Sequence, residues 1–109
     1  MDNIINEYIT PDNKGPYSIW LDELRDKVGK ARVVSQVDRM ELGLFGDSES
    51  VGNGVSELRI HYGPGYRVYY AKESKNVYLL LCAGDKSNQK KDIKLAKEYW
   101  NNYKKELRG

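Results

Sequence analysis

The chain has one cysteine, one histidine, one phenylalanine and three prolines in 109 residues. A lone cysteine, Cys82, excludes an intramolecular disulfide framework and points to a reducing cytoplasm. It lies in the most apolar run, Val77 to Ala83, where a free thiol acts as a small hydrophobe rather than a nucleophile. One histidine and one cysteine cannot supply the paired spacing of a zinc site, and the carboxylates are too scattered to gather around a divalent ion. Neither a metal nor a cofactor is therefore expected. No apolar run approaches the roughly 20 residues of a membrane span. The N-terminus carries Asp2 and Glu7 and has no apolar segment of the kind a signal peptide needs. The expected location is cytoplasmic, with no membrane partner. Two nucleophile and phosphate motifs are also missing. There is no Gly-x-Ser-x-Gly elbow, and no Gly-Lys-Ser/Thr follows the glycines of Leu44–Gly54.

Charge is plentiful, and it is unevenly spread. The net value of +2 hides an acidic half and a basic half. Residues 1–54 carry six Lys/Arg against ten Asp/Glu, whereas residues 55–97 carry nine against four. The basic half is a modest electrostatic footprint for an anionic partner, nucleic acid first, although a solvated helix face has the same composition.

The length suits one domain, residues 1–109, with a single core. Asn3 to Ile9 reads as a first strand and Thr10–Gly15 as turn chemistry. Pro16 suits the first turn of a helix, and Trp20, Leu21, Leu24 and Val28 recur at helical spacing, giving helix one over 17–27. Gly29 breaks the pattern, and Ala31, Val34, Val37 and Leu44 place helix two from Lys30 to Leu42. Leu44–Gly54 reads as a loop. Strands follow at Val55–Tyr62, Tyr66–Lys72 and Val77–Ala83, the last apolar on both faces and so covered on both. Ser87 is a fair N-cap for a final helix whose stripe is Ile93, Ala96, Trp100, Tyr103 and Leu107. The expected class is α+β: an antiparallel-dominated sheet of four strands, an N-terminal helical hairpin and a basic C-terminal helix, in the order β-α-α-β-β-β-α.

The hairpin around Gly63-Pro64-Gly65 carries the chemistry. Side chains alternate along a strand, so Glu57, Arg59 and His61 share one face, joined by Arg67 and Tyr69 across the turn. Leu58, Ile60, Tyr62, Tyr66, Val68 and Tyr70 form the apolar face. A metal-free set of Arg59, His61, Arg67, Tyr69 and Lys86 suits RNA cleavage by the ribose 2′-hydroxyl. Guanidinium groups match phosphate oxygens, and an imidazole, with a reference pKa near ~6.5, can move a proton. The same residues also fit a plain surface, with Arg59 and Arg67 paired to Glu57 or Glu73 and His61 merely ending its strand.

The stretch Glu57-Leu-Arg-Ile-His-Tyr-Gly-Pro-Gly-Tyr-Arg-Val-Tyr-Tyr70, with Leu79 to Ile93 after it, resembles the RelE/ParE toxin superfamily in its HigB-like, phage-associated branch. Trp20–Leu24 and Glu41–Gly46 extend the resemblance over nearly the whole chain. It implies the toxin of a type II toxin–antitoxin pair, neutralised by a cognate antitoxin of helix-turn-helix type and meeting DNA only through that complex. The nuclease members cut mRNA on the ribosome and leave a 2′,3′-cyclic phosphate. ParE-type members instead poison gyrase by protein contact, and a degenerate member would serve only as a corepressor. The family's Gly-Tyr-Arg arginine matches Arg67, and the basic residue after strand four's glycine matches Lys86. Arg59 and His61 match less cleanly, and Lys90, Lys91 and Lys94 are the expected RNA contacts. The catalytic tyrosine of RelE near the start of the last helix falls at Asp92 here, so that role is either vacant or moved to His61 or Tyr69.

Overall fold

The computed structural model describes residues 2–108. Five strands form one sheet: β1 (Ile4–Glu7), β2 (Asp47–Gly52), β3 (Val55–Ile60), β4 (Tyr66–Ser74) and β5 (Val77–Asp85). Their order is β1-β5-β4-β3-β2, with β1 parallel to β5 and every other pairing antiparallel. Helices α1 (Pro16–Glu23) and α2 (Lys27–Met40) follow β1, and α3 (Gln89–Arg108) ends the chain after a short 3₁₀ turn, Lys86–Asn88. The α+β class, the N-terminal helical hairpin and the C-terminal helix are as the sequence indicates. The sheet has one strand more.

That strand is β2, inside the stretch read as a loop. Asn53 and Gly54, both at positive φ (57° and 82°), make the tight turn that joins it to β3. Both central residues at positive φ define the type I′ hairpin turn, for which Asn-Gly is the strongest short signal. Val51 is the one apolar side chain in β2, so no hydrophobic alternation marks it as a strand.

The helix boundaries shift for a local reason. Asp26 caps α2, its carboxylate accepting from the Gly29 N–H at 2.9 Å, so α2 starts three residues earlier than expected. Gly29 therefore lies within α2 rather than breaking it. A side chain there would place Cβ 2.5 Å from both Asp26 Oδ2 and a Tyr66 ring carbon. The Tyr66 hydroxyl donates to the same Asp26 carboxylate at 2.7 Å, tying the helix start to the β3–β4 turn. At the other end of the helical hairpin, Glu7 of β1 accepts from the Ser18 amide and hydroxyl, at 2.7 and 2.6 Å. Before α3 the capping residue is Asp85, not Ser87: its carboxylate accepts from the Ser87 N–H at 2.9 Å.

Each face of the sheet has its own core. Tyr17, Val33, Val37 and Met40 of the two N-terminal helices pack on Leu58, Ile60, Tyr66, Val68 and Tyr70. Ala96 and Trp100 of α3 pack on Val55, Tyr69, Ala71, Leu79 and Leu81 on the opposite face. Strand β5 feeds both, Leu80 and Ala83 on one side and Leu79, Leu81 and Cys82 on the other. Between the pairs Tyr69–Cys82 and Tyr70–Leu80 the register skips Leu81, a bulge that turns Cys82 onto the α3 face. The α3 stripe leaves the body at its end, where Leu107 is 63% exposed.

Candidate functional site

The register of β3 against β4 sets Arg59 opposite Arg67 and Glu57 opposite Tyr69, all on the face that α3 partly covers. Helix α3 shields the Glu57–Tyr69 end and leaves the turn end open. Glu57 is 1% exposed and is the hub of the site. Its carboxylate accepts from Arg59 Nε at 3.0 Å, the Tyr69 hydroxyl at 3.3 Å and Gln89 Nε2 at 2.8 Å. Arg67 Nε lies 3.3 Å from the same carboxylate, an ion pair whose angle leaves that buried N–H without a hydrogen bond. The other end of the guanidinium is anchored by the turn, Arg67 Nη1 donating to the Gly65 carbonyl at 2.9 Å. Gly65 has φ 82°, and a Cβ there would lie 3.3 Å from Nη1. Glycine thus serves both the turn and the close approach.

Strand β2 changes the electrostatics that the sequence suggests. It sets Asp47 and Glu49 beside Arg59, at 3.7 and 2.5 Å, so three carboxylates including Glu57 surround one guanidinium. The hydrogen bonds that Arg59 donates to Glu49 and Glu57 push its pKa above the usual range. Its charge is matched locally, which makes Arg59 a brace rather than a free phosphate clamp. Asp47 also holds His61, Oδ2 to Nε2 at 2.5 Å. The hydrogen bond from His61, with help from Arg59, holds the Asp47 carboxyl below the usual carboxylate range.

His61, Arg67 and Lys86 share one cleft of about 420 Å³ with Arg59, Tyr62 and the glycine turn. The His61 side chain is 73% exposed, the Arg67 side chain 11%. Among the described residues no carboxylate lies within ion-pair distance of Lys86. Lys90 and Lys91 line an adjoining cleft of about 410 Å³ with Lys86, and Lys94 is exposed farther along α3.

Tyr69 does not join them. It is 0% exposed, its hydroxyl is directed at Glu57, and burial followed by the Glu57 charge raises its pKa. It steadies Glu57 and does not line the cleft, so the structure does not bring it together with His61, Arg67 and Lys86 as the sequence suggests. Cys82 is buried as well, its thiol pushed up to about 12 by burial and then by Asp92.

Asp92 also carries an unpartnered buried atom. Its Oδ2 is buried with no hydrogen-bond partner, packed over Gly84, where any Cβ would collide with it. Burial, then the charge of Asp85, raises its pKa, against the pull of Lys91. A carboxyl whose folded pKa lies above its unfolded value opposes folding once ionised, so its cost grows as pH rises through the carboxylate range. Asp92→Asn should therefore melt higher than the parent at pH 7, with the gap closing toward pH 3. Melting curves across that range check this, and an Asp92→Asn protein less stable at pH 7 would contradict it.

Asp47 and Gln89 are the residues that sequence reasoning missed; Glu57, expected as a surface partner of Arg59 and Arg67, pairs with both but is buried. Among the described residues, no group of three or more His, Cys, Asp or Glu side chains is placed to hold a metal ion. Nor is any helix among them long and apolar enough to cross a membrane.

Residues 19–101 match the family described as phage derived protein Gp49-like (DUF891). An uncharacterized protein of Haemophilus influenzae is 46% identical over 81 residues, covering 74% of this chain and 82% of its own. The matched span holds α2, all of β2 to β5 and the start of α3, and with them every residue of the cleft. The chain belongs to the phage-derived Gp49-like family.

Proposed function

We propose that the protein is the toxin of a type II toxin–antitoxin pair and cuts mRNA on the ribosome without a metal. The observation that carries this reading is the gathering of His61, Arg67 and Lys86 around one cleft, with His61 held by Asp47 and Arg67 by Glu57 and Gly65. Membership of a family linked to RelE- and HigB-type toxins supports it. Arg67 is preorganised by Glu57 and Gly65, so no reorganisation is needed when charge develops on phosphorus. Asp47 orients the His61 imidazole much as a carboxylate positions a catalytic histidine elsewhere.

In the proposed step, His61 takes the proton from a ribose 2′-hydroxyl. The 2′-oxygen bonds to phosphorus, and the bond to the 5′-oxygen breaks on the opposite side. Arg67 and Lys86 stabilise the added negative charge on the non-bridging oxygens, and solvent protonates the leaving 5′-oxygen. The products are a 2′,3′-cyclic phosphate and a 5′-hydroxyl. The cognate antitoxin, of helix-turn-helix type, would silence the site and bring the pair to DNA.

The test is cleavage of a defined mRNA with and without ribosomes, mapped by primer extension. Cuts within codons should appear only with ribosomes, and His61→Gln should slow them by roughly 10²–10⁴-fold. Linearised plasmid in a gyrase assay, with no RNA cut, would favour the gyrase-poison reading instead.

A further inference from the structure

A second cleft opens directly beside the first, and its α2 wall takes no part in the proposed reaction. It measures about 460 Å³ and shares Arg59, Ile60, His61 and Tyr62 with the His61–Arg67–Lys86 cleft. Its far wall is α2, which presents Arg32, Ser35, Gln36 and Arg39. These stand at i, i+3, i+4 and i+7, so one helix face carries all four. The Arg32 guanidinium sits 4.6 Å above the centre of the Tyr62 ring. Among the described residues neither Arg32 nor Arg39 is in an ion pair.

Together the two clefts are lined by Arg32, Arg39, Arg59, Arg67 and Lys86, with Asp47 as the one acid. The α2 side of this basic wall, Arg32 and Arg39, comes from the half of the chain that carries six Lys/Arg against ten Asp/Glu. Overall composition therefore does not account for it. Local placement does.

We propose that a single RNA strand continues from the Arg67–Lys86 cleft onto α2, with one base stacked on the Arg32–Tyr62 pair and phosphates held by Arg32 and Arg39. The proposal rests on the nuclease reading of the neighbouring cleft and names where its substrate goes. Single-stranded RNA is recognised by a basic groove with planar groups on which unpaired bases stack, and an arginine over a tyrosine ring is such a platform. Guanidinium groups suit phosphate oxygens, and Ser35 and Gln36 between them offer donors and acceptors to a base edge. A double helix has no unpaired base to stack there.

The probe is an uncleavable 2′-O-methyl RNA of about twelve nucleotides, titrated by fluorescence anisotropy from low to moderate salt. Each phosphate contact on a single strand contributes about 0.7 to the slope of log K against log salt. Arg32→Ala with Arg39→Ala should thus lower that slope by about 1.4. Tyr62→Leu should weaken binding without changing the slope, whereas Tyr62→Phe should bind as the parent does. Lys75→Ala, in the β4–β5 turn, should leave both quantities unchanged. All the α2 arginines are exposed, so circular dichroism should show the double variant folded. An unchanged slope in the double variant, together with a lowered slope in Arg67→Ala, would overturn the α2 path while sparing the cleft. An unchanged slope in both would sink the nuclease reading as well and assign the arginines to a protein partner.

Discussion

Arg67→Ala should abolish toxicity, lowering single-turnover cleavage on programmed ribosomes by about 10²–10³-fold, the usual loss for one preorganised donor. The guanidinium is held from two sides, by Glu57 and by the Gly65 carbonyl, so its position does not depend on the substrate. Removing it should leave the fold standing, because Glu57 keeps Arg59, Tyr69 and Gln89 as donors. Arg67→Lys should recover little, since a single ammonium cannot span Glu57, the turn carbonyl and a phosphate at once. Induced growth arrest, scored beside circular dichroism and antitoxin capture, separates lost chemistry from lost structure. An Arg67→Ala protein that arrests growth like the parent would remove the residue from the mechanism.

The largest effect on stability should come from Glu57→Ala. Four groups converge on a carboxylate that is 1% exposed, and two of them are guanidiniums. Taking away the shared anion leaves Arg67 buried without its counter-charge and the Tyr69 hydroxyl and Gln89 amide without an acceptor. Breaking a buried pair from one side typically costs about 3–5 kcal/mol. That is a large part of the stability of a small domain, so chemical denaturation should show the midpoint falling steeply. Glu57→Gln should fall between the two, keeping an acceptor oxygen while losing the charge. A midpoint unchanged in Glu57→Ala would show that the hub holds nothing together.

Much of this was legible in the residues, and the gaps have physical reasons. The β3–β4 hairpin, β5 and α3 announce themselves through alternation, an unbroken apolar run and a helical stripe. Strand β2 does not, because it is stabilised by pairing and by its carboxylates on Arg59 and His61 rather than by buried apolar area. The Asn53-Gly54 pair was the available signal for it. Gly29 looked like a break because sequence spacing cannot show Tyr66 and Asp26 closing over it. Nothing in the Arg-His-Tyr pattern shows that α3 covers half of that face. That single packing choice buries Tyr69 and turns Glu57 from a surface partner into the hub. Alternation tells which residues share a face and says nothing about which face a distant helix will cover. Arg67 and Lys86, singled out in the sequence, line one cleft in the structure. Arg59 and His61 stand near them, though with carboxylate partners contributed by β2.

The end chemistry of the cut tests the central claim most directly. Ribosome complexes carrying a single defined mRNA would be treated with the protein and the fragment ends identified enzymatically. If a 2′-hydroxyl is the nucleophile and Arg67 and Lys86 carry the charge, every upstream fragment should end in a 2′,3′-cyclic phosphate and every downstream one begin with a 5′-hydroxyl. A 3′-hydroxyl paired with a 5′-phosphate would mean that water attacked the phosphorus, and the cleft could not be working as described.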